Sequence, residues 1–160
     1  MITFGPMKKL LVFIISLLLL PWFSGCKDPW ENPNHPNAIV DFTIYPNSIK
    51  EYELNVPGGF KYYTSDPQST SRGIIVFRVT QDSFTVWDRL PPNNPNACCD
   101  NNGNCNRLVL EDAFFVVDHC NDITYSILDG TVFEGEGTYR LYPYNYTYDG
   151  TSLRITSYYN

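Results

Sequence analysis

From residue 38 onward the chain alternates short apolar runs with turn residues, at a spacing that suits strands and leaves no room for helices. Ile39-Val40-Asp41-Phe42-Thr43-Ile44-Tyr45 is rich in β-branched and aromatic residues and stops at Pro46-Asn47-Ser48. Gly73-Ile74-Ile75-Val76-Phe77-Arg78-Val79 is almost continuously apolar, as for a strand covered on both faces. Phe84-Thr85-Val86-Trp87-Asp88-Arg89 alternates and is joined to it by the hairpin-sized turn Thr80–Ser83. Further strands are predicted at 107–110 and 113–117 around Glu111-Asp112, at 124–128 before Asp129-Gly130, and at 138–142. The last pair is predicted at 144–148 and 152–156, around Asp149-Gly150. No window carries the i, i+3, i+4, i+7 spacing of an amphipathic helix, and only Asn47–Glu51 has room for a helical turn. About ten short strands predict an all-β fold, an antiparallel sandwich or partly open barrel, over 38–160.

Residues 1–25 follow a different pattern. A basic pair, Lys8-Lys9, precedes an apolar run from Leu10 to Phe23 and the small residues Ser24-Gly25, as in a secretory signal. The apolar run has 14 positions, broken by Ser16 and Pro21, short of the roughly 20 needed to span a bilayer. Met7, directly before Lys8-Lys9, offers a second start. Cys26 after Ser24-Gly25 resembles bacterial lipoprotein signals. That resemblance implies cleavage before Cys26, two acyl chains on its sulfur and one on its new amino group. A membrane is then a partner, and the location is the cell envelope, on the periplasmic or surface face of the outer membrane; Lys27-Asp28 leans outward. Residues 26–37, with Pro29, Pro33 and Pro36 among Asn32, Asn34 and Asn37, read as a tether, with His35 as a solvated member of it.

Charge narrows the partners. Lys8 and Lys9 are the only two of 11 basic residues within 1–25, and all 17 acids lie after it, so the remainder carries −8. Nucleic acid and anionic headgroups repel such a chain, and no run of basic residues offsets this. Nucleic-acid binding is excluded, and lipid must hold the protein at the membrane. One acyl chain is marginal for that task, whereas three are ample.

Five cysteines, less a lipidated Cys26, leave Cys98, Cys99, Cys105 and Cys120, an even set suited to disulfides in an oxidising compartment. Bonding the neighbours Cys98 and Cys99 is strained, since adjacent Cα atoms are closer than a disulfide favours. Two connectivities remain: Cys98–Cys120 with Cys99–Cys105, or Cys99–Cys120 with Cys98–Cys105. Both clamp the loop Leu90–Asn106 to the loop Asp118–Ile123, and a bridge from 98 to 120 contributes about 3 kcal/mol by loop closure.

Two cysteine-bearing loops after strands, then Asp129-Gly130 and the Gly-rich Gly135-Glu136-Gly137, resemble the Rieske iron–sulfur domain. The resemblance covers roughly 73–155 and is strongest from Asp118 to Gly135. It implies that Cys120 holds the family's disulfide position, with Cys98 nearer than Cys99 to its partner's offset. It also implies that the four cluster-ligand positions are filled by Pro91, Asn93, Asp118 and Asn121, where the family has Cys, His, Cys and His. Pro91 has no donor side chain, Asn93 and Asn121 carry neutral amides, and Asp118 is a hard ligand where a thiolate is needed. The expected cofactor is therefore none.

Other chemistry finds little purchase. A four-cysteine cluster would need adjacent ligands and reduced thiols, and a zinc site on Asp118, His119 and a thiol lacks a fourth ligand. Glu111, Asp112, Asp118, Asp122, Glu134 and Glu136 read as turn acids and not as a catalytic pair. Gly-x-Ser-x-Gly is absent, and neither Gly58-Gly59 nor Gly135–Gly137 opens a helix that would cradle phosphate. Aromatic residues make up 16% of the chain, and a sandwich of this size uses most of them in its core and at strand ends. Tyr62-Tyr63, Tyr139–Tyr148 and Tyr158-Tyr159 are read as core and cross-strand residues first, and as a sugar-stacking row second. The expectation is a non-enzymatic, lipid-anchored envelope protein with a cluster-less Rieske-like domain acting in binding or assembly on an envelope protein or glycan. The alternatives are a Rieske-type [2Fe–2S] electron-transfer protein and an aromatic-faced carbohydrate-binding lipoprotein.

Overall fold

The computed structural model describes residues 32–34, 36, 38–64 and 70–157. Cys26, His35 and the Tyr158-Tyr159 pair lie outside the described residues. Among the described residues ten strands form three antiparallel sheets with one short helix. The strands are β1 (Asp41–Ile44), β2 (Phe60–Tyr63), β3 (Ile74–Arg78), β4 (Phe84–Asp88) and β5 (Val109–Glu111). They continue with β6 (Phe115–Asp118), β7 (Ile123–Ser126), β8 (Val132–Glu134), β9 (Asn145–Tyr148) and β10 (Leu153–Thr156). A 3₁₀ helix, Ile49–Leu54, fills the window where a helical turn is expected. Sheet orders are β1-β10-β9, β2-β3-β4 and β5-β6-β7-β8.

The apolar run of β3 explains the layering. All five of its residues are buried. Ile74 and Val76 join a core shared with β1, β10 and Tyr144, while Ile75 and Phe77 join a second core with Val116, Tyr125 and Ile127. The β2-β3-β4 sheet is thus the middle layer of an all-β sandwich, with side chains alternating between two cores. Beside β4 the chain returns at 142–144, where Asp88 N donates to Tyr142 O and Tyr144 N to Val86 O, both at 2.9 Å. That contact joins the middle sheet to the β9 sheet. The sheets do not close into a barrel, because β1 and β2 face each other across an open groove of about 530 Å³.

Arg78 ends β3 and is fully buried. Its guanidinium donates to the carbonyls of Leu54 and Gln81 and to Asn47 Oδ1, tying the 3₁₀ helix to the β3–β4 turn, and it lies 5.2 Å from the Phe84 ring centroid. A buried cation is tolerated there because its donors are matched by carbonyls.

The strand expected at 138–142 is irregular instead. Its backbone is divided among unrelated partners: Thr138 N and Tyr139 N donate to Asn93, and Leu141 N donates to Gly130 O. β2 and β8 were not legible as strands, since Gly58-Gly59 with Lys61 and the acidic Gly-rich 134–137 read as turns. Asn32 is buried, and its amide donates to Pro92 O at 2.8 Å. Asn34 donates to the same carbonyl at 3.2 Å, so these two residues of the Pro/Asn-rich stretch pack on the 90–106 loop. No helix among the described residues is long and apolar enough to cross a membrane.

Candidate functional site

The two cysteine-bearing loops leave from the ends of β4 and β6 and meet at one end of the sandwich. The sulfurs of Cys98 and Cys120 lie at bonding distance, with Cα atoms 5.8 Å apart, and those of Cys99 and Cys105 are likewise paired. This is one of the two connectivities that spacing leaves open, and the one toward which the Rieske resemblance leans. Cys99 and Cys105 also pair as a backbone bridge, and Asp100 N donates to Asn104 O at 2.8 Å, so the segment between them is a tight hairpin. Inside it Asp100 accepts from Asn102 N, Asn104 N and Asn104 Nδ2, and the Asn104 side-chain bond leads the effects that hold its carboxyl below the usual range. Asn106 Nδ2 reaches Cys120 Sγ at 2.8 Å, a second tie between the loops.

Asp118, 2% exposed, turns its carboxylate back into the second loop. Oδ1 accepts from Cys120 N at 3.1 Å and Oδ2 from Asn121 Nδ2 at 2.7 Å. Asn121 also donates to Asn94 O in the first loop, at 3.3 Å. Asp118 and Asn121, two of the positions where the resemblance places cluster ligands, are therefore bonded to each other.

Asn93 is the knot of the first loop. Its Nδ2 donates to Tyr125 Oη at 2.8 Å and to Tyr139 O at 3.0 Å, while its Oδ1 accepts from Thr138 N at 2.7 Å and Tyr139 N at 2.9 Å. The amide's whole capacity, two donors and two lone pairs, is spent within the protein. The bond holds segment 138–139 against the loop and ends in Tyr125, whose hydroxyl is pushed up mainly by burial, with the Asp118 charge acting in the same direction. Pro91 is buried beside them in the chain and offers no donor.

His119 points elsewhere. Its Nε2 lies 2.8 Å from Glu111 Oε1, and both side chains are about half exposed, a surface pair of small energetic weight. Glu111, Asp112, Asp122, Glu134 and Glu136 are exposed. Among the described residues no three His, Cys, Asp or Glu side chains converge as metal ligands would. What remains at the tip is polar surface on a stiff base: Asn94, Asn96, Asn101, Asn102 and Asn104 are exposed, while the loops beneath them are cross-linked.

Asp88 is fully buried. Burial pushes its carboxyl up, opposed by bonds from Ser71, from Tyr144 Oη at 2.6 Å, and from Leu90 N at 2.6 Å. Tyr144 is pushed up in turn by its own burial and then by the Asp88 charge. With no exposed surface, Asp88 anchors the start of the 90–106 loop and is closed to any substrate.

The β1/β2 groove is the second candidate. Phe42, Tyr45, Tyr62 and Tyr63 line it together with Lys50 and Lys61. Phe42 and Tyr63 stack with ring centroids 5.5 Å apart, and Tyr63 Oη donates to the buried Glu51 at 2.6 Å. Tyr45 and Tyr62 expose 55% and 36% of their surface, enough for contact with a partner. The groove was not legible in the sequence because β2 was not.

The fold and the loops together define an all-β, disulfide-clamped domain. Comparison with protein families, with curated proteins and with solved structures gives no match. The Rieske resemblance therefore stands on the order of the elements and the residues quoted for it.

Proposed function

We propose that the chain is a lipid-anchored cell-envelope protein whose β domain is similar to a Rieske domain without its cluster and acts, without catalysis, in binding or assembly. The observation that carries this reading is the use made of the ligand positions. Asp118 and Asn121 bond each other, and Asn93 spends its amide on Tyr125, Thr138 and Tyr139. Opening these bonds to seat a metal would leave buried donors and acceptors unpaired, each costing about 1–3 kcal/mol. The disulfides hold a polar loop tip rigid, which lowers the ordering cost of recognising a partner. The anchor rests on the pattern Lys8-Lys9, Leu10–Phe23 and Ser24-Gly25-Cys26.

Protein produced with its own export signal and purified without chelator should show no visible absorption beyond the aromatic band and no stoichiometric iron. One or two irons per chain with a reducible visible spectrum would instead make it a Rieske-type electron carrier, with the loops misaligned above.

A second reading, an aromatic-faced carbohydrate binder, is favoured by the groove between β1 and β2 and its tyrosines. Glycan-array binding that disappears in Tyr45→Ala would select it over a protein partner.

A further inference from the structure

The sequence has no basic run, yet the fold assembles a basic cluster. Arg72 precedes β3 and Arg89 follows β4, at the same end of that antiparallel pair, with Arg89 N donating to Gly73 O at 2.8 Å. Segment 106–108 lies across both. Arg72 Nη1 donates to Asn106 O at 2.8 Å, and Arg89 Nε donates to Leu108 O at 2.8 Å. Leu108 N returns a bond to Arg89 O at 2.9 Å. Arg107, exposed, lies in the chain between the two residues whose carbonyls are so held, and its charge acts on both guanidinium groups.

No carboxylate answers them at the surface. Lys61, His119 and Arg154 each have an acidic partner within ion-pair distance, but Arg72, Arg89 and Arg107 have none among the described residues. Burial leads in lowering the proton affinity of both Arg72 and Arg89. For Arg72 the carboxylates of Asp88 and Asp118 oppose it ahead of the smaller effect of Arg107, and for Arg89 Tyr62 and Asp88 oppose it while Arg107 adds to it. Asp88 is sealed inside and committed to Leu90 N and Tyr144 Oη. With 17 acids in the chain, three gathered arginines without a surface counter-charge leave room for an anion from outside.

We propose that Arg72, Arg89 and Arg107 form a binding site for a tetrahedral oxyanion, the phosphate or sulfate group of a ligand. Arg89 and Arg107 supply the donors. The two terminal nitrogens of Arg89 and the whole Arg107 guanidinium have no partner among the described residues. Arg89 is held ready, its Cζ 4.0 Å from the Tyr62 ring centroid, and Tyr62 is itself fixed by accepting from Leu110 N at 2.8 Å. Arg72 spends donors on Asn106 O and Asn96 Oδ1, so it adds charge and holds the segment that carries Arg107. A tetrahedral anion suits such forks because its oxygens lie in several planes, where a carboxylate offers two in one. The site is independent of the anchor and of the Rieske resemblance.

The test is a titration of the full chain in nonionic detergent with sodium phosphate, sulfate and chloride at matched ionic strength. It follows the Arg89 Nε–H resonance, which its bond to Leu108 protects from exchange. Saturable shifts with phosphate and sulfate, absent with chloride, are expected. Arg107→Gln should weaken them by roughly tenfold or more, and Arg154→Gln, an arginine paired elsewhere with Asp41, should not. Soluble short-chain phosphatidylglycerol that binds more tightly than inorganic phosphate would assign the group to a lipid headgroup, and weaker binding would assign it to a free ligand; both uphold the site. No saturable shift with either oxyanion, or an Arg107→Gln protein that binds like the wild type, overturns it.

Discussion

Asp149 and Asp88 respond to folding with opposite signs, and each sign has a local cause. Asp149 is exposed and caps the β9–β10 turn, accepting from Ser152 N at 2.6 Å, Ser152 Oγ at 2.7 Å and Thr151 N at 2.8 Å. These bonds favour the ionised form and draw its pKa to about 2 from 3.8. A carboxyl lowered by folding adds stability above its unfolded value and loses it as pH falls through its folded one. The stability difference between the wild type and Asp149→Ala, taken from urea midpoints, should therefore shrink on acidification between pH 3.8 and about 2. A difference constant over that window would mean that the capping bonds do not form in solution. Asp88 is raised by burial, so its ionisation as pH rises above the ordinary carboxylate range works against the fold. Neither effect was legible in the sequence, where Asp149 is a turn residue before glycine and Asp88 merely the polar end of an alternating strand. Asn93 was legible only through the Rieske resemblance, as the place of an absent histidine. Its four bonds depend on segment 138–139 being close, which no local pattern encodes.

Among the elements, the strands that could be read are those whose burial is decided locally. β3 is apolar from Ile74 to Phe77, and 84–88 is largely buried, because two cores need them, while 145–148 and 153–156 keep their alternation because one face of each is turned inward. Residues 138–142 carry the same signal without forming a strand: Leu141 and Tyr142 are buried, but their backbone bonds go to Gly130 and Asp88 and not to a ladder. Gly130 is the element that makes this possible. Its φ is +71°, and a Cβ there would lie 2.7 Å from Cη2 of Trp87 and 3.2 Å from Cβ of Leu141. Trp87 cannot retreat easily, since its Nε1 donates to Ile127 O at 2.7 Å. Gly130→Ala should cost about 2 kcal/mol or more, the sum of a left-handed backbone and an overpacked core, read as a lowered denaturation midpoint. The loops make a matching prediction. Replacing Cys98 and Cys120 together by alanine removes a cross-link 22 residues apart and should cost about 3 kcal/mol. The Cys99–Cys105 pair spans 6 and should cost about 2 kcal/mol. Non-reducing peptide mapping checks the pairing itself: alkylation of two or more of these cysteines in unreduced protein would show that the clamp is not made.

At the scale of the whole molecule, two properties pull against each other. The chain after residue 25 carries a charge of −8, which an anionic membrane surface repels, and the described residues contain no membrane-crossing helix. The three arginines gathered at one patch are too few to reverse that field over the distance of a domain, since screening confines each to about 8–10 Å. The proposed source of membrane association is Cys26 with its acyl chains. Asn32 and Asn34 pack on the 90–106 loop, so an anchor at Cys26 would be only a few residues from the disulfide-clamped end of the sandwich. Among the described residues the two hydrophobic cores begin at Ala38. Cys26→Ser should accordingly move the protein from the membrane pellet to the soluble envelope fraction while its circular dichroism and its disulfides stay as in the wild type. Labelling with a radioactive fatty acid should disappear in the same variant. A Cys26→Ser chain that is cleaved normally and still pellets with the membrane would mean that the β domain binds there itself, and the lipid anchor would have to be given up.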